Sequence, residues 1–284
     1  MRLAINSPIV VALPGTFSPW ERDAGIAELA AIVEDADRLG YDHVTCSEHV
    51  VVPAPVAEVR GGTYWDPLAT FGYLAARTTR IRFATQVLVL GYHHPLEIAK
   101  RYGTLDVVSG GRLILGLGVG SLEEEFELLG ATFQGRGDIA DDALRALRAS
   151  LSRAEPAYHG PHFDFDGVVV EPHAVQDEVP LWIGGRTRRS LRRAVELGNG
   201  WVPFGLSPEE LGRLLASAPI PEGFDVALSP ATPLQPTAAP DATLAALTEL
   251  ADAGATIASV KLAATGVEDY REQLHALMEI AGDL

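Results

Sequence analysis

Residues 81–120 have the sequence IRFATQVLVLGYHHPLEIAKRYGTLDVVSGGRLILGLGVG. The apolar runs at 81–88 and 113–117 predict two buried strands, and the amphipathic segment at 95–108 predicts a helix between them. Two consecutive strands joined through a helix predict a parallel pair, because parallel strands need a crossover connection of about this length. This stretch therefore predicts an α/β fold built on a parallel sheet.

The same alternation of apolar runs and amphipathic segments extends in both directions from this stretch. Further strands are predicted at residues 3–6, 43–47, 181–184, 200–204, 225–229 and 259–263. Further helices are predicted at residues 22–39, 67–77, 137–154, 187–197, 208–215, 240–253 and 267–281. Eight strands alternating with helices in 284 residues predict one (β/α)8 TIM barrel, a single domain over residues 1–284. A doubly wound open sheet is the alternative, although such sheets usually have fewer strands.

The charge and cysteine content exclude several classes of protein. There are 22 basic and 38 acidic residues, and the net charge of −16 argues against nucleic acid or a polybasic membrane contact. Cys46 is the only cysteine, which excludes an intrachain disulfide and indicates a reducing compartment. The N-terminus lacks a signal-type apolar region, and no apolar run could span a bilayer. We expect a cytoplasmic protein whose partner is a small-molecule substrate, with no nucleic acid and no membrane.

Two segments are longer than barrel loops need to be, one after strand two (residues 50–66) and one after the fourth unit (residues 155–180). The second is predicted to contain a hairpin, with 157–159 paired to 162–165. Because the loops that follow barrel strands build active sites, we expect both insertions to form walls of one pocket. The alternative is that they decorate the surface.

A first glycine-rich segment, residues 116–120, follows a predicted strand in the pattern Gly-x-Gly-x-Gly. A dinucleotide site would need Gly-x-Gly-x-x-Gly, and the three glutamates at 123–125 would disfavour a pyrophosphate at the next helix. Gly118, Val119 and Gly120 are interpreted instead as letting a flat ring approach the backbone, or as a requirement of barrel packing.

A second glycine-rich segment, Gly184 and Gly185, also follows a predicted strand, and Thr187 opens the next helix. Five arginines follow within eight positions: Arg186, Arg188, Arg189, Arg192 and Arg193. Flexible glycines, a helix N-terminus and positive charge predict a site for a phosphate. Five helical arginines cannot all face one ligand, so Arg186 and Arg188 are the candidates. The alternative is a solvated helix face paired with nearby acids.

His49 follows Glu48 just past the second predicted strand, so this pair should lie at the barrel mouth. There it could exchange a proton or bind a ring, and the alternative is a structural hydrogen bond. The other histidines lack the spacing of metal ligands, so we expect no metal site. Cys46 lies within a strand and is interpreted as part of the core.

Several segments taken together are similar to the luciferase-like monooxygenase superfamily, in particular to its branch of oxidoreductases that use the deazaflavin coenzyme F420. These segments include CSEHVVVP (46–53), Leu-Asp-x-x-Ser-Gly-Gly-Arg (105–112), Gly-x-Gly-x-Gly (116–120) and PLWIGGRTRRSLRRAVELGNGWVPF (180–204). Any one of them alone would be weak evidence, but their combination and order are specific.

The resemblance implies a barrel that holds a flavin-like ring at the carboxyl ends of its strands. Glu48 and His49 would lie beside the ring as catalytic residues, and Gln86 and Val87 would form a non-prolyl cis peptide behind it. The loop at Gly118–Gly120 would line the ring or its ribityl chain. The segment Gly184, Gly185 and Arg186, with Thr187 and Arg188, would bind the phosphate.

The substrate side is less defined, and we predict Tyr64, Trp65 and Ser121 as substrate-pocket residues. Relatives in this branch that act on sugar phosphates carry a carboxylate where this chain has Ser121. They also carry a tryptophan shortly after the histidine, where this chain has the three valines 50–52. These departures argue against a sugar phosphate as the substrate.

The resemblance implies an enzyme that transfers a hydride between F420 and a small organic substrate. An FMN-dependent monooxygenase that uses dioxygen is the first alternative, since both cofactors share a ring and a phosphate. A cofactor-binding barrel without turnover is the second alternative. Related barrels are commonly dimers, so a homodimer is expected.

Overall fold

The predicted apolar runs form parallel strands in a computed structural model, which describes residues 1–15 and 17–282. The strands are β1 (Arg2–Ile5), β2 (His43–Cys46), β3 (Arg82–Thr85), β4 (Leu88–Val89), β5 (Leu113–Gly118), β6 (Tyr158–His159), β7 (Asp164–Phe165), β8 (Leu181–Gly184), β9 (Gly200–Val202), β10 (Asp225–Leu228) and β11 (Ile257–Val260). They pair in the order β3-β2-β1-β11-β10-β9-β8-β5-β4, and pairing of β3 with β5 closes the sheet into a barrel. The short strand β4 continues β3, and only β6 and β7 form a separate hairpin within the described residues.

Helices alternate with the barrel strands and surround them. They are α1 (Ile26–Leu39), α2 (Ala54–Arg60), α3 (Pro67–Ala75), α4 (Pro95–Ser109), α5 (Glu123–Leu128), α6 (Arg136–Ser150), α7 (Arg188–Leu197), α8 (Pro208–Leu215), α9 (Pro240–Asp252) and α10 (Val267–Ala281). The strands are buried on both faces, as expected when helices cover a parallel sheet. In the described part of the chain, no helix is long and apolar enough to cross a membrane.

The structure confirms the predicted barrel and corrects several boundaries. The predicted strand 81–88 is interrupted after Thr85, and the peptide bond between Gln86 and Val87 is cis, as the resemblance implied. The last strand begins two residues earlier than predicted, at Ile257. Helix α2 was not predicted, because it buries no side chain and so carries no amphipathic signal.

The second insertion, residues 155–180, contains the predicted hairpin. It follows a helix, α6, and precedes β8, so it begins and ends at the amino end of the barrel. Its hairpin packs Phe163 against His94 at the start of α4, with ring centroids 5.3 Å apart. Further along, Gln176 bonds to Asp106 and to the carbonyl of Leu113. The hairpin therefore packs beside the start of α4, while its role as a wall of the pocket stays a prediction.

The pattern at residues 105–112, which helped to carry the resemblance, has a structural role. The buried carboxylate of Asp106 accepts hydrogen bonds from the backbone N–H groups of Val175 and Gln176 at 2.9 and 3.0 Å. The buried guanidinium of Arg112 donates to the carbonyl groups of Ala75 and Ile81 at 2.9 and 3.1 Å. These two side chains satisfy backbone groups between barrel elements that would otherwise be buried without partners.

Gly116 permits the close approach of β5 to β3. A Cβ atom on Gly116 would lie 1.9 Å from the carbonyl oxygen of Thr85, and Thr85 Oγ1 donates to the Gly116 carbonyl at 2.8 Å. The glycine is therefore required by the closure of the barrel itself.

We expect Gly116→Ala to lower the free energy of unfolding by about 3 kcal/mol, because the two strands must move apart. Gly72→Ala is the control, since a Cβ atom there would meet no atom within 4 Å. In a helix interior this exchange should stabilise by up to about 1 kcal/mol. Urea denaturation measures both, and equal stability of the two variants would contradict the close packing of β3 on β5.

Candidate active site

The carboxyl ends of the parallel strands meet at one mouth, where the predicted site residues are placed. Glu48 and His49 follow β2, Gln86 and Val87 follow β3, and Val119 and Gly120 follow β5. Gly185 and Arg186 follow β8 on the other side of β5. Barrel topology therefore brings segments that are far apart in sequence to one surface.

His49 is oriented by Glu125, a residue that we did not predict as part of the site. The Nδ1 atom of His49 lies 2.6 Å from Glu125 Oε2, and the imidazole is one-fifth exposed. An ionised carboxylate can only accept, so Nδ1 carries the hydrogen and Nε2 is the nitrogen left free to gain or lose a proton. The imidazole also packs edge-on against Tyr64, with ring centroids 4.5 Å apart.

Glu125 is fully buried, and both of its oxygens accept hydrogen bonds. One oxygen takes the N–H groups of Val50 and Val51 at 2.7 and 3.2 Å, and the other takes His49 and the Tyr92 hydroxyl, the latter at 2.8 Å. Burial by itself raises the pKa of Glu125, but the hydrogen bonds from these donors outweigh it and lower the pKa below 4.5. The carboxylate therefore stays charged.

The position of Glu125 on its helix is a sequence signal for its burial. From the sequence, Glu123, Glu124 and Glu125 are three equivalent acids at a helix N-terminus. Only Glu125 shares the helical face of Leu122 and Phe126, both of which are buried, whereas Glu123 and Glu124 are exposed. An acid on the apolar face of a helix predicts a partner elsewhere in the fold.

Glu48 does not pair with its neighbour His49. Its carboxylate accepts from the N–H of Val89 at 2.8 Å and lies 2.7 Å from His93 Nε2. Burial lowers the pKa of His93, but the hydrogen bond and the charge of Glu48 outweigh burial and raise it. Glu48 thus holds the start of β4 in place, and its catalytic role stays a prediction.

The glycines around Val87 fit its side chain. A Cβ atom on Gly118 would lie 2.6 Å from Val87 Cγ2, and one on Gly184 would lie 2.8 Å from Val87 Cγ1. Gly120, with φ of 76°, faces the ring of Phe126 in the same way, at 2.5 Å. Barrel packing is therefore sufficient to explain the glycines of residues 116–120. Contact of this segment with a cofactor ring stays a prediction.

The second glycine-rich segment ends at the N-terminus of α7. Thr187 is the N-cap, and its side chain accepts from the N–H of Ser190 at 3.2 Å. Gly185 has φ of 133°, a conformation that favours glycine, and a Cβ atom there would lie 2.7 Å from Ser190 Cβ. Thr187 satisfies the N–H of Ser190, which leaves the N–H groups of Arg188 and Arg189 as the donors of the first turn without a partner within the helix.

The five arginines near α7 fall into two groups. Arg189 and Arg193 bond to Asp138 and Asp141 of α6, and Arg192 pairs with Glu196 at 3.9 Å. Arg186 and Arg188 are exposed, and neither makes an ion pair with a carboxylate in the part of the chain that the structure describes. The guanidinium of Arg186 lies over the exposed ring of Phe204, 5.7 Å from its centroid. The solvated-face alternative thus holds for three arginines, and the two predicted anion ligands are free of acids.

The first insertion, residues 50–66, lies over the mouth. Tyr64 forms a bridge with Val11 of the loop after β1, and the Tyr64 hydroxyl donates to the carbonyl of Arg60 at 3.0 Å. Arg60 in turn reaches Ser121 at 3.4 Å. Trp65 is half-buried against the core. Tyr64 is therefore next to His49, whereas substrate contact by Tyr64, Trp65 and Ser121 stays a prediction.

The family model for luciferase-like monooxygenases matches residues 7–219, most of the chain. The chain belongs to this family.

Residues 1–15 and 17–282 contain no group of three histidine, cysteine, aspartate or glutamate side chains that could hold a metal ion.

One relative is similar in sequence, and two solved structures are similar in fold. An uncharacterized protein of Mycobacterium tuberculosis is 31% identical over 181 residues, 63% of this chain and 62% of the relative, so the match spans less than two thirds of that protein. The monooxygenase RslO1 from Streptomyces bottropensis has a TM-score of 0.81 at 20% identity, covering 100% of this chain and 99% of RslO1. The coenzyme F420-dependent tetrahydromethanopterin reductase from Methanopyrus kandleri has a TM-score of 0.72 at 15% identity, covering 98% of both chains.

We expect Glu125→Gln to lower the free energy of unfolding at neutral pH by about 2 kcal/mol, because a buried amide cannot accept from all four donors. The pKa of Glu125 is lowered on folding, so its stabilising effect is present above 4.5 and is lost as the pH falls through the lower folded value. The difference from wild type should therefore shrink on acidification. Urea denaturation at several pH values measures this, with the exposed neighbour Glu124→Gln as the control. Equal stability of the two variants at pH 7 would contradict the role of Glu125.

Proposed function

We propose that this protein is an oxidoreductase that binds coenzyme F420 at the barrel mouth and transfers a hydride between the deazaflavin and a small organic substrate. In this proposal the whole chain, residues 1–284, is one barrel domain and acts as a homodimer. The observation that carries it is the pair Arg186 and Arg188, exposed and without acidic partners beside an open helix N-terminus.

The residues beside Gly185 fit a phosphate. The glycine has no side chain over the loop, and the N–H groups of the first turn of α7 can donate to phosphate oxygens. Arg186 and Arg188 supply two positive charges next to them. A flavin phosphate would need one of these charges, and F420 carries a further anionic tail that the second would neutralise.

His49 is the residue best placed to handle the proton that accompanies hydride transfer. Bound F420 would supply the carbon that gives or takes the hydride. The Glu125 carboxylate fixes the Nδ1–H of His49, so a proton can be gained or lost only at Nε2. Tyr64 packs on the edge of the imidazole and limits its rotation.

An FMN-dependent monooxygenase that uses dioxygen is the second candidate function. It is favoured by the family to which the chain belongs and by the similarity in fold to RslO1. FMN has the same phosphate but lacks the anionic tail, so the two arginines favour F420. Fluorescence titration of the purified protein with each cofactor discriminates the candidates. Tight binding of FMN without binding of F420 would overturn our proposal, and binding without turnover of any substrate would favour a non-catalytic barrel.

We expect Arg186→Ala to weaken cofactor binding by about tenfold or more, since it removes a charged hydrogen-bond donor worth at least about 1.4 kcal/mol. The matched control is Arg192→Ala, because Arg192 is exposed in α7 but already pairs with Glu196. Fluorescence titration measures both affinities. An unchanged affinity of Arg186→Ala would remove this arginine from the phosphate site.

We expect His49→Ala to reduce turnover by about a hundredfold, the usual scale for loss of a positioned proton donor. Its stability should change much less, because the imidazole is partly exposed. A panel of small carbonyl compounds and alcohols with F420 measures turnover, and urea denaturation measures stability. His159→Ala, at an exposed hairpin position, is the control. Wild-type turnover in His49→Ala would exclude it from proton transfer.

A further inference from the structure

A cavity lies at the mouth where β1, β2, β3, β10 and β11 end, and we name it the Lys261 cavity. Its volume is about 250 Å³. Val10, Val11 and Pro233 contribute apolar surface. The polar lining residues are Asn6, Ser7, Thr45, Ser47, Gln86, Ser229, Thr232 and Lys261. Neither His49 nor the arginines of α7 line it, but Gln86 does, so the cavity adjoins the predicted ring site. A small cavity that combines apolar surface with several polar groups is typical of a ligand site.

The ammonium group of Lys261 is available to a ligand in this cavity. Lys261 is one of only two lysines in the chain, and its side chain is 19% exposed. Its Nζ lies 3.5 Å from Glu21 Oε1, and it makes no hydrogen bond within residues 1–15 and 17–282. The Ser7 Oγ is also buried and has no hydrogen-bond partner there. Ser7 Oγ lacks a partner, and the Lys261 ammonium has more N–H groups than its one ion pair with Glu21 uses, so both can donate to an acceptor in the cavity.

The charges around the cavity favour a neutral ligand. Glu21 is buried, accepts the N–H groups of Ile9 and Ser18 at 2.8 and 2.9 Å, and pairs with Lys261. Glu21 therefore balances Lys261, and burial raises the pKa of the Cys46 thiol to about 12, so this lining residue is uncharged. A bound anion would leave one uncompensated buried charge, which is costly, whereas a neutral oxygen acceptor would not.

Glu21 also fixes the wall of the cavity. Among the described residues, Ile9 is the only non-glycine residue with a positive φ, at 74°. A β-branched residue rarely adopts this conformation, and such strain persists only where neighbouring groups enforce it. The Glu21 carboxylate holds the N–H of Ile9, and so sets the positions of Ser7 and Val10 on either side.

We propose that the Lys261 cavity binds a small neutral organic molecule, whose carbonyl oxygen accepts a hydrogen bond from Lys261 Nζ and whose apolar body lies against Val10, Val11 and Pro233. The further assignment of this molecule as the organic substrate rests on the proposed function. The binding itself requires no cofactor.

The two lysines allow a direct test by NMR of the full chain labelled with 13C at lysine Cε, in which Lys100→Met assigns the two signals. The probes are N-methylpyrrolidone, a neutral carbonyl compound, and cyclopentanecarboxylate, an anion of similar size. We expect N-methylpyrrolidone to shift the Lys261 signal saturably and to leave that of Lys100, an exposed residue of α4, unchanged. The affinity for cyclopentanecarboxylate should be lower by about tenfold or more, because its charge would be uncompensated in the cavity.

An unshifted Lys261 signal, or tighter binding of the carboxylate, would overturn the inference. Lys261→Met should weaken N-methylpyrrolidone binding by about tenfold, the loss of one charged hydrogen bond, whereas Lys100→Met should bind like wild type. If Lys261→Met does not fold, the wild-type lysine spectra still decide the outcome.

The same spectra separate this inference from the proposed function. Failure of F420 and FMN to bind would overturn the proposed function and leave the carbonyl site intact. If either cofactor shifts the Lys261 signal and displaces N-methylpyrrolidone, the carbonyl oxygen belongs to the cofactor ring, and the assignment of the cavity to the substrate is overturned.

Discussion

Three buried glutamates hold the loops at the mouth of the barrel. Glu21 binds backbone N–H groups of the loop after β1, Glu125 those of the loop after β2, and Glu48 the N–H of Val89 beyond β3. Each is also paired with a basic side chain. The pairs are Glu21 with Lys261, Glu48 with His93, and Glu125 with His49. Removing a carboxylate from water is costly, and it is offset here by backbone donors together with a cation or an imidazole.

This arrangement links the stability of the mouth to its chemistry. A buried carboxylate that organises a loop also fixes the orientation of the basic group beside it, so one side chain serves both purposes. The imidazole of His49 presents Nε2 because Glu125 occupies Nδ1, and the ammonium of Lys261 lies at its cavity because Glu21 balances its charge. Preorganised groups of this kind lose little freedom when a ligand binds.

The net charge of −16 does not describe the local charge at the start of α7. Several acids are buried and used by the fold, and others on α6 neutralise Arg189 and Arg193. What remains at the start of α7 is two arginines without acidic partners, close to an open helix end. A strongly acidic chain can thus present a local site for an anion, because electrostatic attraction acts over distances comparable with the Debye length, about 8–10 Å.

The sequence by itself determined the eight strands, most of the helices, the closed barrel and the segments at its mouth, because these depend on local periodicity and chain length. It also separated Arg186 and Arg188 from their neighbours by helical geometry. It could not pair His49 with Glu125, which lies 76 positions further along the chain, nor place Lys261 beside Glu21. Those contacts exist only after the barrel closes, because closure brings loops from distant strands to one mouth, and only the tertiary structure decides which of the many acids each basic group meets.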